Sequence, residues 1–303
     1  MTAEVSCVIP CYHRAGILRQ ALERLYDPRI EIVVVNAERD PEVAEVVESK
    51  PGTVHVPRDG SGFAAGVNAA MGHVTTDYVV LMNDDILIDP EGVLALKETL
   101  ATGLADAAVP AISNPAGALE PTIRALPTPG ILFREWFLFP ERRIDLLQRV
   151  VHVEKWRRPE VPERIDSAGT PVIATRTELL RELPIPETYL LNWDEIEWFW
   201  HLRARGLRVL YVPTVEAVHL GGGPQDISPF KSRLLTINAI RFVRRTQGSG
   251  AARRAFFVMA LYNLRLVAVA ALRRLLRGSD NSAQLRARVE GLKAVGASWR
   301  EIG

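Results

Sequence analysis

Three short apolar runs limit what this chain can fold into. Val5 to Ile9, Ile32 to Val35 and Tyr78 to Met82 are rich in Val and Ile and are bounded by polar or turn residues. Runs of this length with little polar alternation read as strands buried on both faces, as in a parallel sheet. Between them Ala15 to Leu25, Pro41 to Glu48 and Phe63 to Met71 carry helix formers, and Pro41 and Pro90 suit a first helical turn. Strand alternating with helix predicts an α/β protein with a doubly wound sheet, whose ligands bind beyond the carboxyl ends of the strands. Ala107 to Val109 predicts one further strand.

From about Ile112 to Glu163 this periodicity gives way to Pro, Trp and Arg, and no regular element is predicted. Patterning returns with Thr177 to Glu182, a helix from about Asp194 to Arg205 stopped by Gly206, and a strand at Val209 to Val212. With 303 residues, 48% of them apolar, the chain can bury a sizeable core in one elaborated domain or two. A disordered chain and a short secreted scaffold are excluded. Cys7 and Cys11 suit neither a zinc site nor a disulfide framework and are expected to be reduced. Met1 to Val8 carries no basic segment followed by an apolar one, so a cytoplasmic location is expected.

Charge is distributed unevenly. Eleven of the 37 Lys and Arg fall between Ile227 and Gly278 with no Asp or Glu among them, leaving 26 to set against all 36 acids elsewhere. Nucleic acid, an anionic membrane surface or a pyrophosphate-bearing substrate would each supply the missing negative charge. No nucleic-acid motif accompanies the basic residues, so nucleic acid is not expected as a partner. Within the basic region Ala255 to Leu272 is apolar except for Asn263 and Arg265, and Arg253, Arg254, Arg273, Arg274 and Arg277 flank it. A central Arg costs about 2.5–3.5 kcal/mol on insertion scales, which favours a helix lying in the membrane interface over one that crosses it. A helix buried against protein is the other reading.

Four clusters carry possible chemistry. Tyr78 to Asp85 is a strand ending in Asn83, Asp84 and Asp85, where a hard cation such as Mg²⁺ or Mn²⁺ would find carboxylates; acids there are also ordinary turn formers. Asn192 to Glu197, NWDEIE, opens a helix with acids that its dipole favours. Trp193, Trp198, Phe199 and Trp200 beside it could stack sugar rings and raise a carboxyl's pKa, or could be plain core. His219 is placed after a strand and a short connection, before Gly221 to Gly223, where an imidazole could join a carboxylate on a metal. Gly60 to Asn68 offers backbone N–H groups to an anion but lacks the dinucleotide spacing, which excludes a nicotinamide enzyme.

Taken in order, CVIPCYHR (Cys7 to Arg14), GFAAGVNAAM (Gly62 to Met71), LMNDD (Leu81 to Asp85), AGTPVIATR (Ala168 to Arg176) and the stretch from Trp193 to His219 resemble the family 2 glycosyltransferases of GT-A fold. GFAAGVN is similar to bacterial rhamnosyltransferases and DEIE to galactofuranosyltransferases. The resemblance implies a GT-A catalytic domain over 1–224, with a nucleotide-sugar half at 1–110 and an acceptor half at 111–224 that includes the irregular stretch. A basic helical region at 225–303 follows. It implies nucleotide-sugar contacts at Pro10, Tyr12, Arg14, Asn36, Gly62, Phe63, Asn68, Asn83 and Asp84, with Asn36 replacing the family's usual Asp and offering a carbonyl oxygen to a pyrimidine. The family's Asp-x-Asp pair becomes Asn83 and Asp85, making Asp85 the main ligand of Mn²⁺ or Mg²⁺, joined by His219. The acidic pair assigns the general base to Glu195 and leaves Asp194 to hold acceptor hydroxyls.

The activity implied is metal-dependent inverting transfer of a sugar, rhamnose or galactofuranose by resemblance, from a UDP or dTDP donor. The acceptor is a hydroxyl of a lipid-linked glycan at the inner face of the cell membrane. A sugar-phosphate nucleotidyltransferase or a non-catalytic nucleotide-sugar-binding protein would share the scaffold.

Overall fold

The computed structural model describes residues 3–60, 62–138, 157–189, 193–221, 228–277 and 282–302. The chain divides into two compact units. Met1–Arg124, Arg157–Thr188 and Asp194–Gly223 make the first; Ala125–Trp156, Tyr189–Trp193 and Pro224–Gly303 make the second. The second unit therefore includes two segments that lie before residue 224 in sequence.

The first unit opens with β1 (Val5–Cys11), α1 (Ala15–Leu25), β2 (Ile30–Ala37), α2 (Pro41–Glu48), β3 (Thr53–Arg58), α3 (Phe63–Ala70) and β4 (Tyr78–Met82). It continues through β5 (Ile86–Leu87), α4 (Pro90–Ala101), β6 (Ala107–Ser113) and β7 (Ile123–Arg124), then β8 (Glu163–Ile165), β9 (Ser167–Ala168) and β10 (Val172–Arg176). It closes with α5 (Thr177–Glu182), α6 (Asp194–Ala204) and β11 (Val209–His219). The main sheet runs in the order β3-β2-β1-β4-β10-β6-β11-β5, with β8 also paired to β11. β3, β2, β1 and β4 are parallel, whereas β10 is antiparallel to both β4 and β6, giving the mixed sheet of a doubly wound fold.

Each expected strand and helix of the first hundred residues forms for its expected reason. β1 is buried along almost its whole length, as a central parallel strand should be. α1 turns Leu18, Ala21, Leu22 and Leu25 inward at helical spacing. α2 has Pro41 in its first turn, and the Asp40 side chain accepts from the N–H groups of Glu42 and Val43. β3 was not anticipated because His55 and Pro57 interrupt its apolar pattern; as the half-exposed edge strand it tolerates a proline. The last strand corrects a second expectation. It does not stop at Val212 but shifts register between Val212 and Glu216 and runs on, so His219 is its final residue and not part of a loop.

In the second unit α7 (Pro229–Arg277) and α8 (Ser282–Ile302) pack together. Gly248, with φ 83°, breaks α7 into two segments in a conformation that only glycine adopts without strain. The apolar run expected as a helix, Ala255 to Leu272, lies wholly within the second segment. Leu132–Leu138 forms a π-helical turn against α7.

The caps give a direct check on the sheet half of the fold. Asp40→Ala should lower stability by about 1 kcal/mol in urea unfolding, the usual cost of losing a helix cap. No change would mean that α2 does not depend on Asp40.

Candidate functional site

β4 ends at the carboxyl edge of the sheet, and Asn83, Asp84 and Asp85 fill the connection to β5. Two cations reach this connection from neighbouring strands. Arg14, just after β1, places Nη1 3.1 Å from Asp84 Oδ1 and 3.0 Å from Asp85 Oδ2. The antiparallel pairing of β5 with β11 sets His219 opposite Ile86, with Nε2 3.3 Å from Asp85 Oδ2. The other ring nitrogen, Nδ1, lies 3.0 Å from Glu120 Oε2. Glu120 carries no motif and was not foreseen. The loop that bears it is fixed by its own N–H donating to the Ile112 carbonyl at 2.8 Å.

The electrostatics follow from these contacts. Burial pushes the Asp84 carboxyl above its ordinary range, and the Arg14 charge only partly offsets this. Burial acts on Asp85 as well, but the hydrogen bond and charge of His219 together with Arg14 outweigh it and hold that carboxyl low. The hydrogen bond to Asp85 raises His219 to about 9; burial opposes this and Glu120 adds to it. Gly221 closes over the cluster, where a Cβ would stand 2.2 Å from Asp85 Oδ2, so no larger residue fits without displacing the carboxylate.

The donor set fits a hard divalent cation. Among the described residues Asp85 Oδ1 is buried without a hydrogen-bond partner, the state of a carboxylate oxygen kept for a cation. An imidazole whose far nitrogen meets a carboxylate has the arrangement that orients metal-binding histidines. No group of three acidic, His or Cys side chains suited to a metal occurs among the described residues. Mg²⁺ and Mn²⁺ at phosphate-transfer sites often take one or two carboxylates and complete their shells with substrate oxygens.

Beside the cluster is a cavity of about 260 Å³. Its wall is built from the ends of the parallel strands and the start of α3: Pro10, Cys11, Tyr12 and Arg14 after β1, Val35 and Ala37 in β2, Arg58 at the end of β3, then Gly62, Phe63 and Gly66, with Asn83 and Asp84. Seven of the nine expected nucleotide-sugar residues line it. Asn36 does not. It is buried, its Oδ1 accepts from the Asp40 N–H at 2.8 Å, and its Nδ2 donates to the Asp40 carbonyl at 2.8 Å, so the side chain braces the loop before α2. Asn68 is likewise committed elsewhere, exchanging hydrogen bonds with the Ile185 backbone and donating to Glu187. Arg58 was missed because β3 was missed.

The acidic pair opens α6. Asp194 is 5% exposed and lies near enough to the first turn of α3 for the Ala64 N–H to favour its charged form. That helix starts at Gly62, which has no side chain to cap it. Burial raises the Asp194 carboxyl even so. Burial, and next the charge of Asp194, push Glu195 well above its ordinary range, while Arg124 pulls the other way. The two carboxyls share a hydrogen bond and titrate as a pair. The expected role of Asp194 toward acceptor hydroxyls is corrected by its burial and its partners. Trp193 enters the pair at φ 80°, a conformation that a bulky residue holds only under constraint.

Three of the four aromatic residues around the pair are core, and Trp200 is half-buried. Trp198 and Phe199 are fully buried, and the Trp198 indole donates to the Leu183 carbonyl at 2.8 Å. Trp193 packs on Trp136 and Phe242 with ring centroids 5.9 and 5.5 Å apart. Their side chains are not free to stack a sugar. Asn192 lies outside the described residues.

Residues 6–154 match the model of the family described as glycosyl transferase family 2. The same arrangement of strands recurs in the crystal structure of GalNAc-T7 with UDP, GalNAc and Mn²⁺, at a TM-score of 0.57 and 13% identity over 95% of this chain. The protein has the GT-A fold. It spans 55% of the length of the GalNAc-T7 chain. No curated protein matches it.

The charge cluster can be titrated directly. In metal-free protein His219 should titrate near 9 and not near 6.5. Its contribution to stability is then complete below its unfolded-state value and is lost as pH rises through the folded one. Asp85→Asn should bring the imidazole back toward its ordinary value in an NMR titration. An unshifted imidazole in wild type would contradict the contact.

Proposed function

We propose that the protein is an inverting glycosyltransferase that moves a sugar from a nucleoside diphosphate sugar to a hydroxyl of a lipid-linked glycan at the inner face of the cell membrane. The reading rests on one contact. Asp194 lies against both the start of α3, whose Gly62 and Phe63 line the cavity, and Glu195. A carboxyl of raised pKa thereby stands beside the wall of the cavity.

In this reading Pro10, Tyr12, Arg58, Gly62 and Phe63 surround the nucleotide, and Arg14, Asn83 and Asp84 face the diphosphate. Asp85 and His219 would hold Mn²⁺ or Mg²⁺, which supplies positive charge against the leaving diphosphate when bound. The acceptor oxygen attacks the anomeric carbon on the face opposite the diphosphate, and Glu195 takes its proton. One displacement inverts the centre, and no covalent enzyme intermediate forms. A base with a pKa raised toward the working pH suits this role, since it is both deprotonated often enough and basic enough. Asp194 acts through Glu195 and is a positioning residue.

UDP or dTDP is the nucleotide proposed. GalNAc-T7 carries UDP and Mn²⁺ in its crystal, which supports a pyrimidine nucleotide and a divalent metal here. Rhamnose and galactofuranose are the sugars favoured by the GFAAGVN and DEIE segments.

Steady-state kinetics with donor and acceptor both varied test the assignment. Glu195→Gln should keep donor affinity and lose about 10²–10⁴ in turnover, the contribution of a general base. Asp194→Asn should lose less. Normal turnover in Glu195→Gln with an inactive Asp194→Asn would transfer the role to Asp194.

A further inference from the structure

The second segment of α7 poses a problem of burial. By length and composition α7 is apolar enough to cross a membrane, yet only 28% of its most apolar 18 residues are buried. One face packs inside the second unit: Ala255, Met259, Asn263 and Ala270 are each at most 4% exposed. The opposite face is also apolar. Phe257, Leu261, Leu264, Leu272 and Leu275 recur at helical spacing and are 60%, 49%, 50%, 54% and 82% exposed, with exposed Ala268 between them. A helix that is apolar all round is normally covered all round, by protein or by lipid.

Of the two polar residues that interrupt the run, Asn263 lies on the buried face, and Arg265, four residues after Leu261 and half-buried at the edge of the stripe, reaches back into the protein. Asn263 donates to the Met259 carbonyl at 2.8 Å and to Thr236 Oγ1 at 3.3 Å, and is buried. Arg265 donates to the Phe137 carbonyl and lies over the Phe137 ring at 5.8 Å. The Arg that would oppose insertion is thus occupied within the protein, and no other charged residue occurs from Phe257 to Leu272. At its amino end Arg253 and Arg254 are exposed one turn before Phe257. Trp299 of α8, 49% exposed, sits against Phe256 and Phe257 with centroids 4.9 and 6.5 Å away, the kind of ring that settles at a lipid–water boundary.

We infer that the stripe Phe257, Leu261, Leu264, Leu272 and Leu275 is a docking face for an anionic lipid surface, on which this helix lies flat. The partner is specified by charge. The stretch from Ile227 to Gly278 carries eleven Lys and Arg without one acid, with Arg253 and Arg254 exposed beside the apolar face, and a surface both anionic and apolar beneath its headgroups answers both. The inference rests on the proposed function for its reason but not for its test, because lipid binding can be read without donor, acceptor or turnover.

Full-length protein is sedimented with vesicles of phosphatidylcholine and phosphatidylglycerol in equal parts, and with phosphatidylcholine vesicles alone. Wild type should bind the anionic vesicles much more tightly. Leu261→Glu with Leu264→Glu should weaken binding by roughly tenfold or more per residue, from the apolar burial lost. Both side chains are half exposed, so thermal stability should stay unchanged. As a second reading, Leu272→Cys carrying an environment-sensitive dye should brighten when anionic vesicles are added, since native Cys7 and Cys11 are buried and escape labelling. Equal vesicle binding by wild type and the double variant would overturn the inference. So would a wild-type dimer in solution that ignores vesicles and that the double variant makes monomeric, because the stripe would then cover a second copy of the chain.

Discussion

One buried carboxylate links the two parts of the candidate site. Asp194 lies against the Ala64 N–H at the start of a helix that has no cap of its own, and against the Glu195 carboxyl beside it. The first contact is with the helix start whose glycine and phenylalanine wall the cavity. In the second, the charge of Asp194 adds to burial in raising the Glu195 pKa. A buried carboxylate with partly satisfied oxygens is costly unless its donors are all in place, so the acid that positions the base also reports on the integrity of the donor wall. The strained backbone of Trp193, held in an aromatic cluster, is consistent with a turn that must deliver this acid at one place.

At the other end of the cavity, charge is arranged to cancel. Asp84 and Asp85 lie at the end of a central strand with the Arg14 guanidinium between them and the His219 imidazole against the second. Each cation arrives from a different strand end, and each offsets the desolvation that burial imposes on a carboxylate. The oxygen left over, Asp85 Oδ1, is the one position in the cluster where a further cation is wanted. Arg14 also lines the cavity, so the same guanidinium that quiets the acids lies where a diphosphate would come.

Much of this was legible in the sequence, for local reasons. β1, β2 and β4 were visible as short apolar runs, and α1 and α2 as stretches of helix formers, the second opened by Pro41, because these signals are written in consecutive residues. The strand ends carrying Pro10, Tyr12, Asn83 and Asp84 followed from them. What was not legible depends on tertiary pairing. His219 was joined to Asp85 by resemblance alone, since the two-residue strand that sets them together carries no pattern, and Glu120 meets His219 from a loop without one. Asn36 and Asn68 were placed on the cavity by resemblance to the family; in the fold their hydrogen bonds are already taken by the backbone. Trp198 and Phe199 misled for the converse reason, since an aromatic residue looks the same in sequence whether it faces a substrate or the core.

The central claim is that Glu195 is a base whose pKa is raised by burial and by the charge of Asp194. The acidic limb of the pH profile of kcat/KM for sugar transfer tests it most directly. Wild type should lose activity as pH falls through a value well above the ordinary 4.5 of a glutamate, and Asp194→Asn should move that limb to lower pH by removing the neighbouring charge. A limb that stays in place when Asp194 is neutralised would contradict the account.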